Sequence, residues 1–299
     1  MMVAILRREF CILTIIFLGR ACANLIRGNE SSFELLVTTA FWNVNKTKQR
    51  DANHYHSRLN IFMGLNADIA IYGNSESLKS IFASRKYRSN GSIIRLIVES
   101  NFSDFEPCKS HMSELTSAPE KYTHPYHLPS VELGCVWLSK LFMLQYSAEE
   151  LPKYEWHLWL DIGLHLGPTN SINISTFPNI QKLRGMPMNK LIVSHSEFTC
   201  SYGEASDYHL GQFPYKHCIA GTSYLIHRDG LPILVPEFRK VFEKCLKFYS
   251  DNLPGVREKN AFPCINDQII LSHIDPKFIH DIHSGGERGY GAVAYDLLC

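Results

Sequence analysis

The run Leu158-Trp159-Leu160-Asp161-Ile162-Gly163 is the chain's strongest candidate for chemistry, because an apolar strand ends there on one carboxylate. In an open parallel sheet, ligands bind beyond the carboxyl ends of the strands. A carboxylate in that place can hold a hard cation, which in turn holds phosphate oxygens. Gly163 lets backbone approach closely. The plainer alternative is an aspartate that caps the turn after its strand. Asn266-Asp267-Gln268 forms a second polar cluster, placed on a short helix. His280-Asp281-Ile282-His283 offers two imidazoles, which are common metal ligands and also common surface or core residues. Ala220-Gly221-Thr222 puts a glycine inside a strand, which marks either approach to a ligand or a bulge. His54-Tyr55-His56 has metal-like spacing for a strand but falls in a helix or loop. The chain has no Gly-x-Ser-x-Gly, His-Glu-x-x-His or Walker motif, and no Gly-x-Gly-x-x-Gly after a strand.

Hydrophobic patterning predicts the elements that must position these groups. Strands are expected at 33–41, 68–72, 92–98, 156–163, 190–194 and 218–226. Helices are expected at 55–65, 75–85, 131–151, 236–249 and 265–272. A proline-rich surface loop fills 101–130, and a glycine-rich loop follows Ser284. Strand and helix alternate through the first hundred residues, which implies a parallel sheet covered by helices. The fold class is therefore α/β. No internal repeat or clear linker divides the chain, so 24–299 is expected to be one domain.

The bulk composition excludes other classes. The chain has 299 residues, 45% of them apolar and 20% charged, with a formal net charge of +1. That length buries a large core, and that charge argues against a nucleic-acid partner. Residues 1–23 have the layout of a secretory signal: Arg7 and Arg8, a short apolar run, then Ala21-Cys22-Ala23. Glu9 and Arg20 bracket that run too closely for a spanning helix, so no stable membrane span is expected. The chain is thus expected to be secreted or luminal in the ER or Golgi; the alternative is a type II protein on a short signal anchor. Sequons at Asn29, Asn45, Asn90, Asn101 and Asn173 agree with N-glycosylation there. Seven cysteines follow the signal, all from Cys108 onward, so the early strands should fold without disulfides. An odd thiol must remain, with Cys299 the first candidate.

In order along the chain stand Val37-Thr38-Thr39-Ala40-Phe41, Asp68-Ile69-Ala70-Ile71-Tyr72, Trp137-Leu138-Ser139-Lys140, Trp159-Leu160-Asp161-Ile162-Gly163, Ala220-Gly221-Thr222 and Asn266-Asp267-Gln268. This series resembles the HtrL/YibB-type glycosyltransferases and, more widely, GT-A enzymes of the glycogenin kind. The resemblance runs from Phe33 to His283. It implies a GT-A-like Rossmann-type domain, with a mostly parallel central sheet flanked by helices, that binds a nucleotide-sugar. It also implies Mn²⁺ or Mg²⁺ as cofactor, with Asp161 and His283 or His280 as ligands. The usual Asp-x-Asp is reduced here to Asp161-Ile162-Gly163, with a single carboxylate. Asp267 and Gln268 are carried over as sugar-site residues, and Lys140, Gly163, Gly221 and Thr222 as donor-side residues. Cys218 and Cys264 adjoin these segments, where a bridge would fix the geometry.

The expected reaction moves a sugar to a glycan or protein acceptor. An inverting enzyme needs a carboxylate base, for which Asp267 and Glu197 are candidates. The competing expectation is a secreted binding module that keeps the scaffold without the chemistry; the missing second carboxylate favours it. N-terminal sequencing of secreted protein should give a start near Asn24, and a start elsewhere would contradict cleavage there.

Overall fold

A computed structural model describes residues 23–25, 34–42, 44, 65–83, 93–117, 130–163, 177–195, 219–256, 263–282, 293 and 297. Among these residues, eight strands form one sheet: β1 (Ala23–Leu25), β2 (Leu35–Ala40), β3 (Asp68–Gly73), β4 (Ile93–Glu99), β5 (Trp156–Leu160), β6 (Leu191–His195), β7 (Ile219–His227) and β8 (Ile279–Ile282). Their order across the sheet is β1-β4-β3-β2-β5-β7-β6-β8. The pairs β2–β3, β2–β5, β3–β4 and β6–β8 are parallel. The short edge strand β1 and the long strand β7 run antiparallel to their neighbours. This is the α/β class with a mostly parallel sheet that the sequence predicts.

β2, β3 and β5 are buried along their whole length, as strands covered on both faces must be. Alternate residues therefore feed two cores. Leu36, Tyr72, Trp159 and Tyr224 face one layer, with α2 (Cys108–Ser117), α3 (Val131–Leu138), α4 (Lys140–Glu150), α6 (Leu231–Val256) and α7 (Asp267–Ser272). Leu35, Val37, Leu158 and Leu225 face the other, with α1 (Ser75–Ala83), α5 (Ile180–Arg184), Val293 and Leu297.

Three predicted boundaries need correction. The region expected as a loop over 101–130 contains a 3₁₀ turn, Phe102–Asp104, and then α2. Its polar surface hides the two apolar residues that seat the helix, Cys108 and Leu115. The helix expected over 131–151 is broken at Ser139, whose φ of −83° and ψ of −5° reset the axis just before Lys140. The helix expected from Pro236 begins earlier, at Leu231. Burial of Leu231, Leu234 and Val235 outweighs the cost of a proline inside the helix. The helix expected at 55–65 lies outside the described residues, apart from Leu65.

Helix α4 is fastened to the sheet through buried hydroxyls. Tyr72 donates to the Met143 carbonyl (3.0 Å) and shares a hydrogen bond with Ser147 (2.6 Å). Thr38 also donates to Ser147. These contacts fix the helix one turn from Lys140. At the opposite end of the sheet, Arg95 pairs with the buried Asp68 at 2.9 Å, and Tyr154 donates to the same carboxylate oxygen. Arg95 occupies the extra position of a register shift between β3 and β4.

Among the described residues, two disulfides are formed. Cys108–Cys135 joins α2 to α3, and Cys245–Cys264 joins α6 to the turn before α7. Cys264 is thus not paired with Cys218, contrary to the pairing considered from sequence. Cys200, Cys218 and Cys299 lie outside the described residues. No helix among the described residues is long and apolar enough to cross a membrane. Cys264→Ser should lower stability by about 3 kcal/mol, the usual effect of losing a loop of this size. Urea unfolding checks the magnitude, and non-reducing peptide mapping checks both pairs.

Candidate active site

β2 has β3 on one side and β5 on the other. The chain leaves β2 toward β3 and β4, then returns to place β5 on the far side. The topology switches direction between β2 and β5, and α/β sheets bind ligands in the crevice that such a switch point makes at the carboxyl ends of the strands. Asp161 is the first residue beyond β5, at that crevice. Its N–H donates to the Thr222 carbonyl (2.9 Å), which holds the end of β5 against β7.

A buried lysine organises the site. Lys140 opens α4, is almost fully buried, and meets three oxygens, one by hydrogen bond and two as ion pairs. Its Nζ lies 2.8 Å from the Gly221 carbonyl, 3.1 Å from Asp161 Oδ1 and 3.2 Å from Asp267 Oδ2. The Trp159 ring lies beneath it, 5.6 Å from ring centroid to Nζ. Burial alone would drive Lys140 toward its neutral form; Asp161 and Asp267 outweigh that and hold its pKa above the ordinary lysine value. With both carboxylates ionised, the trio carries one net negative charge.

The two carboxylates sit in different surroundings. Asp267 begins α7 behind an Asn266 cap whose side chain accepts from the Gln268 N–H (2.9 Å). It is buried, and desolvation pushes its carboxyl up to about 6, with Lys140 opposing. Asp161 is 28% exposed, so it keeps a face toward solvent. Its Oδ1 also accepts from the Trp159 indole N–H at 2.7 Å. The Tyr224 phenol lies buried nearby and is held strongly protonated by burial and by these two carboxylates.

Gly221 answers the choice between ligand approach and bulge. β7 loses register with β6 around Gly221–Ser223: Val193 faces Tyr224, while Ser194 faces Ala220. A Cβ on Gly221 would meet Gln268 Cγ at 2.7 Å and Asp267 Oδ2 at 2.9 Å. The glycine therefore makes room for protein side chains from α7, and its carbonyl turns to Lys140.

Asp161, Lys140, Asp267, Gln268, Gly221 and Thr222 thus come together. Gly163 lies two residues on, in the turn after β5. His280 does not join them. It is level with Leu158 through Ile192 and Leu225, on the face opposite Trp159. Three strand spacings, about 14 Å, separate β8 from β5. Glu197 follows β6 and His283 follows β8, both outside the described residues. Among the described residues, no group of three His, Cys, Asp or Glu side chains could hold a metal ion. One exposed carboxylate still suits a hard cation of the Mg²⁺ type, which commonly takes one or two carboxylates and completes its shell with substrate phosphates and water. The indole of Trp159 and the phenol of Tyr224 are site components that sequence reasoning missed; the i, i+2 spacing of Trp159 and Asp161 was the one available signal.

Asp267 makes stability depend on pH in a defined direction. Its folded pKa lies above its unfolded value, so its contribution is fully present near pH 4 and is lost as pH rises through about 6. Relative to wild type, Asp267→Asn should gain roughly 2 kcal/mol between pH 4 and pH 7. Paired urea titrations at the two pH values check the difference; a pH-independent difference would contradict it.

No family model matches the chain, and no curated protein matches it. The resemblance to HtrL/YibB-type enzymes therefore rests on the sequence segments alone. Among solved structures, the chain is similar to mouse xyloside xylosyltransferase 1 in its apo form, at 11% identity and a TM-score of 0.46, over 83% of this chain and 84% of that one. It is also similar to a glycosyltransferase involved in glycosylation of the major capsid of PBCV-1, at 15% identity and a TM-score of 0.35, over 83% and 81% of the two chains.

Proposed function

We propose that the chain is a glycosyltransferase of the secretory pathway, moving a sugar from a nucleotide-sugar to a glycan or protein acceptor. The observation that carries this reading is the Asp161–Lys140–Asp267 cluster at the switch-point crevice of an α/β sheet. The order of the segments that resemble GT-A enzymes supports it. The donor diphosphate is assigned to the crevice beyond β2 and β5, beside Asp161. The sugar and the acceptor hydroxyl are assigned to the side of Asp267 and Gln268.

Cleaving the sugar–phosphate bond leaves negative charge on the diphosphate. Asp161, with His283 as the second proposed ligand, would hold an Mn²⁺ or Mg²⁺ that would supply Lewis-acid stabilisation of that charge. The protein's own residues do the positioning. Lys140 keeps both carboxylates in place and, with its ammonium already engaged by three protein oxygens, acts from beneath the substrate. Asp267, with its raised pKa, is suited to accept a proton from an acceptor hydroxyl. Glu197 is the alternative base.

Calorimetry against a panel of nucleoside diphosphates should show binding that requires Mn²⁺ or Mg²⁺. Asp161→Asn should abolish it, and should also lower Tm, because this carboxylate partners the buried ammonium of Lys140. Binding of no nucleotide, with or without metal, would overturn the reading and favour the non-catalytic module; metal-dependent nucleotide binding retained by folded Asp161→Asn would remove that carboxylate from the site.

A further inference from the structure

We infer that Trp159 is a positioning residue for Asp161, fixing the carboxylate so that one oxygen is committed to the protein and the other is presented to the crevice. The inference rests on the reading of Asp161 as a ligand for the metal–diphosphate unit. Trp159 and Asp161 are two residues apart at the end of an extended strand, so their side chains leave on the same side. Trp159 is among the largest fully buried side chains. A buried indole needs a partner for its N–H. That partner is Asp161 Oδ1, at 2.7 Å.

The same oxygen also receives the ammonium of Lys140, at 3.1 Å. A single donor fixes a point and leaves the carboxylate free to turn about it. Two donors on Oδ1 hold that oxygen more firmly than either does alone. Asp161 remains 28% exposed, so the uncommitted Oδ2 is the oxygen available to a ligand. The Trp159 ring has a second task, because it lies beneath Lys140 and limits where that ammonium can sit. One side chain thus sets both the carboxylate and its counter-ion. Groups that orient a metal ligand in this way typically change metal affinity 10–100-fold when removed.

The test is Mn²⁺ affinity, read by electron paramagnetic resonance of the free ion, in the presence of uridine diphosphate and then guanosine diphosphate. Trp159→Phe keeps the ring and removes the N–H donor. It should bind Mn²⁺ roughly 10–100-fold more weakly than wild type, and Asp161→Asn should not bind it measurably. Equal affinity in Trp159→Phe and wild type, with binding lost in Asp161→Asn, would overturn the inference and leave the reading of Asp161 standing. Failure of wild type to bind Mn²⁺ with either nucleotide would overturn both. A measurement on unsubstituted protein covers the case in which Trp159→Phe does not fold. The chain has four tryptophans. Their indole N–H signals are resolved by nuclear magnetic resonance, and that of Trp159 should shift when Mg²⁺ and the same nucleotide are added. No shift in any indole signal at saturation would overturn the inference.

Discussion

The ammonium of Lys140 is buried between two carboxylates, and this one placement ties the site to the fold. A charge removed from water costs several kcal/mol unless partners compensate it. The compensation comes from three separate elements: the end of β5 supplies Asp161, the start of α7 supplies Asp267, and β7 supplies the Gly221 carbonyl. None of these is close to Lys140 in sequence. The cluster can therefore form only when the sheet, α4 and α7 are all in place. Much of the surrounding packing serves that requirement. The hydroxyls of Tyr72 and Ser147 seat α4 on the sheet, and the Cys245–Cys264 bridge anchors the turn that leads into Asp267.

The architecture also divides the two carboxylates between two environments. Asp161 projects where the topology switches direction, and it retains solvent access. Asp267 is enclosed, and its proton affinity is raised by burial. Such a pair, joined by a common cation but unlike in exposure, suits two roles: a group that meets charge on a ligand, and a group that exchanges a proton. The β7 bulge makes this arrangement sterically feasible, because any side chain at Gly221 would collide with α7.

Residues with strong local signals were legible in the sequence. The continuous apolar runs at β2, β3 and β5 mark strands covered on both faces, and their alternation with helices gives the parallel part of the sheet. Asp161 stands out because a carboxylate ends such a run. Asp267 and Gly221 stood out as local motifs and Lys140 entered the candidate set through resemblance, while their common cluster could not be read from spacing. The break at Ser139 is set by how α3 and α4 pack and by no proline or glycine. The antiparallel direction of β7 leaves no mark on its own composition. The Asp68–Arg95–Tyr154 group at the far end of the sheet depends on a register shift, which is a property of two strands together. His280 shows the converse limit: its residue type suits a ligand, while the strand order places it three spacings from Asp161.

The central claim is that Lys140 and Asp267 form one energetically coupled unit. A double-mutant cycle on unfolding free energy, with Lys140→Met, Asp267→Asn and the double variant at pH 7, tests it most directly. The account predicts that the double variant is less destabilised than the sum of the single variants by about 1–3 kcal/mol, the range for residues sharing an ion network. Additivity within about 0.5 kcal/mol would contradict it.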